Sequence, residues 1–342
     1  MKKFFAAIFG LAFFYCSTCA AYTAEGHLRI TMLNVGQGDS FLIETHEQNI
    51  LIDTGGVDSS RLLAEIKKAG INRFERIILT HAHADHIGGV LAVLENYHVD
   101  EIIDNGIESA SPLYRKYHEA ETKFTVVKAG ARLDFGDRAS FKVLHPPAAL
   151  VAGGNVNNES IVGRLSFGGF VMLFTGDIES AAEKSLLKKN LYAVVLKAPH
   201  HGSKTGSTKK FVEAVQPQFV LISAGEKNKF GHPHKKTIER YLASGVAPED
   251  IFCTAFHGTV IIETDGFDTT VKAENYFFGS TIEEASSGSE EAFFISQDKV
   301  CSCCPIFLSE SKTMIAQNFS SNLYRLRARR DKDFSAENRD YF

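Results

Sequence analysis

A chain of 342 residues with 44% hydrophobic side chains can bury one large core or two modest ones, which excludes a fibrous or largely disordered protein. Its formal net charge of −4 gives no general attraction to nucleic acid or to an acidic membrane, so such a partner must be met by a local patch. Beyond the N-terminal segment no apolar run reaches the roughly 20 residues that a membrane-spanning helix needs.

The chain begins with Lys2 and Lys3, an apolar run from Phe4 to Tyr15, and small residues through Thr18 and Ala20. This pattern predicts a signal peptide over 1–24, removed on export, and a secreted or periplasmic mature protein. Cys16 and Cys19 suggest lipidation, but the residues ahead of each are a poor lead-in for it.

From Leu28 onward "LRITMLN", "SFLIET" and "NILIDT" mix alternating and continuous apolar positions, as strands of a packed sheet do. A helix is predicted over 59–69, with Leu62, Leu63 and Ile66 on one face. "RIILT" reads as a buried strand ending on Thr80, and a helix from about His86 carries Val90, Leu91 and Leu94 inward. Strands follow at "FTVVK", "SFKVL", "SIVGRLSF" and "FVMLFTG", then a helix over 179–188, strand "AVVLKA", a helix over 208–215, strand "FVLIS" and a helix over 235–243. Strands "DIFCT", "TVIIET" and "TTVKA" close a domain spanning 25–275. Two β-rich halves, each with helices, imply two sheets between helical layers.

After about Asn275 the composition shifts: "SSGSEEA" reads as a linker, and 276–342 as a weakly structured tail with a basic knot at Arg325, Arg327, Arg329 and Arg330. Beyond the signal only Cys253, Cys301, Cys303 and Cys304 remain. The last three lack a partner pair at zinc-ribbon spacing and lie far from the histidines, so they read as oxidisable tail residues.

The chemistry is concentrated in "THAHADHIGG", residues 80–89. Imidazoles and carboxylates bind divalent ions of the zinc and manganese type, and a tight turn can aim alternate side chains at one point. His81 and His83 alternate and suit one ion, while Asp85 and His86 lie further round the turn and suit a neighbouring one. Gly88 and Gly89 let the helix start close to them.

This stretch resembles the H-x-H-x-D-H signature of the metallo-β-lactamase superfamily. The chain also resembles one branch of it, the hydrolase-like domain of the ComEC competence DNA-uptake proteins. The matching pieces are "NVGQGDS", "LIDTGG", "LTHAHADHIGG", "NNES", "LFTGDIE", "LKAPHHGSK" and "FGHPH", in that order over about 250 residues. The resemblance implies an αββα four-layer sandwich (metallo-β-lactamase fold) with two divalent metal ions, zinc or manganese, between the sheet edges.

Carried over residue by residue, the resemblance makes Asp177 a carboxylate that bridges both ions. It places His232 with Asp85 and His86, and Asp53 behind the metal loop with Asp39 nearby. The pair His200–His201 is assigned with His201 as ligand to the ion of His81 and His83, and His200 as the acid that protonates the leaving group. His145, in "LHPP", and Asn158 remain alternatives for that ligand position, and Asn157 and Asn158 are expected to line the substrate site. Asp85 and Asp177 count as catalytic because the ions they hold turn water into a hydroxide nucleophile near neutral pH.

Between Lys197 and Lys236 there are eight lysines and two glutamates, around the loops that carry His200, His201 and His232. Lys197 and Lys204 are expected to contact an anionic phosphodiester. The expected function is an exported phosphodiesterase or nuclease acting on DNA. A phosphorylcholine esterase, a lactone or β-lactam hydrolase, and a metal-retaining binding module without catalysis are the alternatives. ComEC proteins carry a long membrane-embedded region that has no counterpart here, so the expectation is a free-standing exported domain.

Overall fold

A computed structural model describes residues 26–149, 154–275, 281–283 and 294–296. The expected signal peptide over 1–24 and the cluster of Cys301, Cys303 and Cys304 lie outside the described residues. No helix among the described residues is long and apolar enough to cross a membrane.

The chain builds its first sheet from eight strands, in the order Thr269–Ala273, Val260–Thr264, Leu28–Met32, Phe41–Glu44, Asn49–Ile52, Arg76–Ile78, Glu101–Asp104 and Lys123–Val126. The second has seven, in the order Ile251–Cys253, Phe219–Ile222, Val195–Lys197, Phe170–Phe174, Val162–Phe167, Ser140–His145 and Arg132–Asp134. The inner faces meet in one core, where Ile30, Phe41, Ile43 and Ile52 pack with Phe141, Leu165, Met172 and Phe174. On the outer face of the first sheet Leu42, Leu51 and Ile77 pack against Leu62, Ile66, Val90 and Val93 of the covering helices. On the outer face of the second, Leu173, Leu196 and Val220 pack against Ala182, Phe211, Val212 and Tyr241. This is the αββα arrangement that the sequence predicts, with helices Ser60–Ala69, Lys209–Val215 and Lys235–Ala243 within a residue of expectation.

The predicted helix from His86 is in fact two short ones, Ala84–Ile87 and Val90–Asn96, separated at Gly88 and Gly89. The second buries Val90 and Val93 fully, while Leu91 and Leu94 are only partly covered. Strand Glu101–Asp104 and helix Pro112–His118 are additional to the elements that the sequence predicts. Within the expected tail, Thr281–Glu283 and Phe294–Ser296 pair as a small antiparallel ribbon.

Four strands of each sheet are parallel. Asn49–Ile52, Arg76–Ile78, Glu101–Asp104 and Lys123–Val126 run the same way in the first, and Phe170–Phe174, Val195–Lys197, Phe219–Ile222 and Ile251–Cys253 in the second. Parallel strands all end on one edge, and their connecting loops gather there, which is where open α/β sheets place ligands. The histidines and aspartates singled out in the sequence occupy that edge of both sheets.

One buried carboxylate away from this edge has a measurable consequence. Arg29 lies between Glu44 and Glu263 on neighbouring strands, but it gives its short hydrogen bonds, 2.7 and 3.1 Å, to Glu263 and stays 4.0 Å from Glu44. Burial therefore pushes the Glu44 carboxyl up from 4.5 to about 7. A raised folded-state pKa contributes stability below the unfolded value that is lost as pH rises through the folded one. Glu44→Gln should accordingly stabilise the protein by about 2 kcal/mol at pH 8 and by little at pH 5. Urea unfolding at the two pH values checks this, and an equal effect at both would contradict it.

Candidate metal centre

The first strand end to matter is that of Asn49–Ile52, which delivers Asp53 in a left-handed conformation (φ 60°). The strain is held by a ring of bonds. Asp53 donates its backbone N–H to Ile78 O at 2.8 Å, and its two carboxylate oxygens accept from Thr80 N, Thr80 Oγ1 and His86 Nδ1, each at 2.7 Å. Asp53 thereby fixes both the start of the 80–89 loop and the ring that emerges from the loop's short helix.

Two glycines let the loop lie this close to its neighbours. A Cβ on Gly88 would come within 2.2 Å of Gly56 C and 2.4 Å of Ala84 O, and one on Gly38 within 2.2 Å of Asp85 O. These contacts are with backbone and cannot relax cheaply, so Gly88→Ala should lower the melting temperature by several degrees and displace His86. A scanning melt of the variant measures this.

Four donor atoms from Asp85, His86, Asp177 and His201 all lie within 4.8 Å of one another. His86 gives its Nδ1 proton to Asp53, so Nε2 presents a lone pair, 3.2 Å from Asp177 Oδ2. His201 gives its Nδ1 proton to Ser223 O at 2.8 Å, so its Nε2 also presents a lone pair, 3.3 Å from Asp85 Oδ2 and 3.2 Å from Asp177 Oδ2. Neither Nε2 has a hydrogen-bond partner among the described residues. Buried acceptors facing one another repel unless a proton or a cation lies between them. Separations of 3.2–3.3 Å match the edge of a tetrahedron whose metal–ligand distances are about 2 Å. The residues therefore fit a divalent metal ion.

The electrostatics make the same demand. Burial alone would lower His86 and His201, but Asp177 beside both, with Asp53 at His86 and Asp39 at His201, raises them well above the ordinary histidine range. Burial alone would raise Asp177, but His201, His86 and Lys197 hold it well below its ordinary value. Asp85 is lowered against its own burial by His201 and His86.

His81 and His83 form a second convergence, with His81 Nε2 3.1 Å from His83 Nδ1. Thr80 Oγ1 donates to Asp53 and so has a lone pair for the His81 Nδ1–H at 3.1 Å, which leaves His81 Nε2 unprotonated. Burial and the neighbouring His86 hold His81 well below its ordinary value. Asp53 thus sets the tautomer of His86 directly and that of His81 through Thr80, a role that sequence reasoning located but could not trace.

Several expected placements need correction. His201 stands with Asp85 and His86, not with His81 and His83, because its ring turns in from a backbone at φ 54°. His232 is not in that donor group. Its ring lies 6.2 Å from that of His201, 5.5 Å from that of His200 and 5.6 Å from that of the exposed Phe230, and burial takes it down to about 3. His145 Nε2 meets Asn158 O at 2.8 Å, and His145 does not fall among the grouped donor atoms of the described residues.

Lys197 is the largest departure. Instead of facing substrate, it is 1% exposed, and its ammonium donates to Gly176 O at 2.8 Å and sits 2.5 Å from Asp39 Oδ2 and 3.5 Å from Asp177 Oδ1. The clue in the sequence is its place at the end of the apolar run "AVVLKA", a parallel strand covered on both faces. Lys204, by contrast, is exposed as expected.

His200 also has a left-handed backbone (φ 49°) and is partly exposed, with Nε2 3.8 Å from Asp177 Oδ2 and Nδ1 3.3 Å from Glu179 Oε1. Burial lowers its pKa, against the pull of Asp177 and Glu179, which favours the neutral ring. Asn157 Nδ2 donates to Glu179 Oε1 at 3.1 Å, and Asn158 Oδ1 accepts from Glu179 N at 2.9 Å. Both side chains thus hold Glu179, the residue that faces His200 and that the sequence reading had not singled out.

Residues 33–226 match the family model described as the metallo-β-lactamase superfamily. The chain is 34% identical over 243 residues to ComE operon protein 3 of Bacillus subtilis, covering 64% of this chain and 30% of that protein. It is 32% identical over 231 residues to competence protein ComA of Neisseria gonorrhoeae, covering 65% and 30% respectively. This chain therefore matches under a third of the length of these relatives. A shorter segment of 65 residues, 18% of this chain and 24% of the relative, is 38% identical to exodeoxyribonuclease WalJ of Streptococcus pneumoniae. Among solved structures, the metallo-β-lactamase fold protein YhfI of Bacillus subtilis aligns with a TM-score of 0.48 at 13% identity, over 70% of this chain and 99% of that one. With its topology, its converging donors and a family match over more than half its length, the chain belongs to the metallo-β-lactamase superfamily.

Proposed function

We propose that this protein is an exported phosphodiesterase that cleaves DNA with two divalent ions, one held by Asp85, His86, Asp177 and His201 and the other by His81 and His83 with Asp177. The observation that carries the reading is the set of imidazole and carboxylate donor atoms that converge at tetrahedral spacing on the shared edge of the two sheets. Divalent ions there would neutralise charge on a phosphoryl group and activate water near neutral pH. The protein's own part is orientation: Asp53 and Ser223 hold the imidazoles with their lone pairs inward. His200, steadied at Nδ1 by Glu179, presents its Nε2 near Asp177, where a neutral ring would take a proton from the attacking water and pass it to the departing oxygen.

Substrate class rests on charge. Lys204, Lys209, Lys210, Lys227, Lys229 and Lys236 are exposed on the segment that carries His200, His201 and His232. Four carboxylates, of Asp39, Asp53, Asp85 and Asp177, and the single ammonium of Lys197 leave the buried cluster a formal −3, so two dications would make it cationic and suited to a phosphodiester. The names of the competence relatives and of the exodeoxyribonuclease support a DNA substrate in the same direction.

The test is elemental analysis of the purified protein together with hydrolysis of linear DNA, bis-p-nitrophenyl phosphate, nitrocefin and a lactone, with zinc and manganese supplied separately. Bound metal with phosphodiester turnover that a chelator removes is the expected result; turnover confined to nitrocefin or the lactone, or metal without any turnover, defeats it. DNA binding should weaken steeply with salt, and Lys204→Gln or Lys229→Gln should each lower the slope of log affinity against log salt by about 1. A slope unchanged in both variants removes the lysine rim from the interface.

A further inference from the structure

Next to the metal donors lies a second group of anionic and imidazole side chains, Asp39, Asp53 and His86, all buried and close enough to suggest another ion. Two observations argue that this group already has its cation. The His86 Nδ1 proton is given to Asp53, and the Lys197 ammonium approaches Asp39 Oδ2 at 2.5 Å. The same ammonium lies 3.5 Å from Asp177 Oδ1, while Asp177 Oδ2 faces His86 and His201 at 3.2 Å.

We propose that Lys197 is a positioning residue and a resident cation: it stands where the Asp39–Asp53–His86 group would otherwise take a metal ion, and its charge, 3.5 Å from one Asp177 oxygen, holds that oxygen by ion pairing so that the other alone faces the metal pocket. Three geometric features support this. Lys197 is fully buried, so it cannot exchange partners with solvent. Its third donor direction is taken by Gly176 O, in the turn that carries Asp177, so the lysine is tied to the bridging residue's backbone as well as to its side chain. Its own carbonyl accepts from Thr175 Oγ1 at 2.8 Å, which locks the strand carrying Lys197 to that same turn. A fixed positive charge so near the pocket holds a dication less tightly than the carboxylates alone would. It also prevents Asp177 from chelating with both oxygens, which would pull the ion away from His201 and His86.

A purely structural lysine and a resident cation predict opposite changes in metal affinity, which makes the inference testable. Loss of a structural prop loosens the site and weakens metal binding. Loss of a repelling charge strengthens it, roughly ten-fold or more for a unit charge this close to a dication. The full-length protein carrying Lys197→Met is titrated with zinc, and separately with manganese, against a chromophoric chelator. Tighter binding than wild type, or one additional ion per chain, together with reduced phosphodiester turnover, is the expected result. Unchanged or weaker binding at unchanged stoichiometry in a folded variant overturns the inference. If Lys197→Met does not fold, Lys197→Gln, which keeps a donor for Gly176 O, is read against the same two outcomes, and the zinc-induced rise in melting temperature gives a second measure of affinity. The inference rests on the metal-binding reading of the site, and the two fail differently. Wild-type protein that takes up neither metal refutes that reading, whereas wild-type uptake that the Lys197 variants leave unstrengthened refutes only the role given to Lys197.

Discussion

Replacing Asp177 with asparagine is expected to lower phosphodiester turnover about 1000-fold, the several kcal/mol of transition-state stabilisation that Lewis-acid chemistry contributes. Its Oδ2 is the atom that both His86 Nε2 and His201 Nε2 face at 3.2 Å, and its Oδ1 faces Lys197 at 3.5 Å. An amide cannot serve both sides. If its oxygen faces the pocket, its NH2 meets the Lys197 ammonium; if it flips, its N–H groups point at the position an ion would take. The variant should therefore lose bound metal by elemental analysis while circular dichroism still reports a folded sandwich. Full metal content with wild-type turnover would remove Asp177 from the centre of the mechanism.

Asp53→Asn should produce the next largest effect, a loss of about 10- to 100-fold in metal affinity, although Asp53 touches no ion in this arrangement. Its carboxylate accepts three bonds, from Thr80 N, Thr80 Oγ1 and His86 Nδ1, and an asparagine side chain has only one accepting oxygen. In one orientation its NH2 opposes the Thr80 N–H; in the other it opposes the His86 Nδ1–H and favours the tautomer that puts a proton on Nε2. The second outcome blocks the lone pair that the metal needs. Metal titration at fixed pH measures the loss, and an affinity within two-fold of wild type would show that the tautomer is set elsewhere.

Much of this site is legible in the sequence because its first part is local. His81, His83, Asp85 and His86 belong to one turn after one strand, and Gly88 is where the loop meets Gly56. The apolar periodicities that place this turn at a strand end reflect burial on the two faces of each sheet, so the layer order is readable as well. The partition of the later histidines is not. His200 and His201 are adjacent and both have positive φ, so the alternation that an extended strand would impose on their side chains does not apply, and only the three-dimensional turn decides which ring reaches Asp85. The place of Lys197 is hidden in the sequence for a related reason. Counting lysines along a segment assumes they reach water, whereas this one ends a parallel strand buried on both faces and finds its counter-charges on Asp39, 158 positions away along the chain, and Asp177. Helix Pro112–His118 did announce itself, with Ser111 as its cap and a proline in its first turn, but it lies outside the motif-bearing stretches.

The four converging donors are shared equally between the two sheets: Asp85 and His86 follow strand Arg76–Ile78, while Asp177 and His201 follow strands Phe170–Phe174 and Val195–Lys197. An ion seated among them is therefore a rivet joining the early and late halves of the polypeptide, and neither half holds a working fragment of the site. Such a rivet can be set only after both halves have docked. If the export proposed above carries the chain across a membrane in extended form, the ions must be collected on arrival, from whatever the receiving compartment supplies.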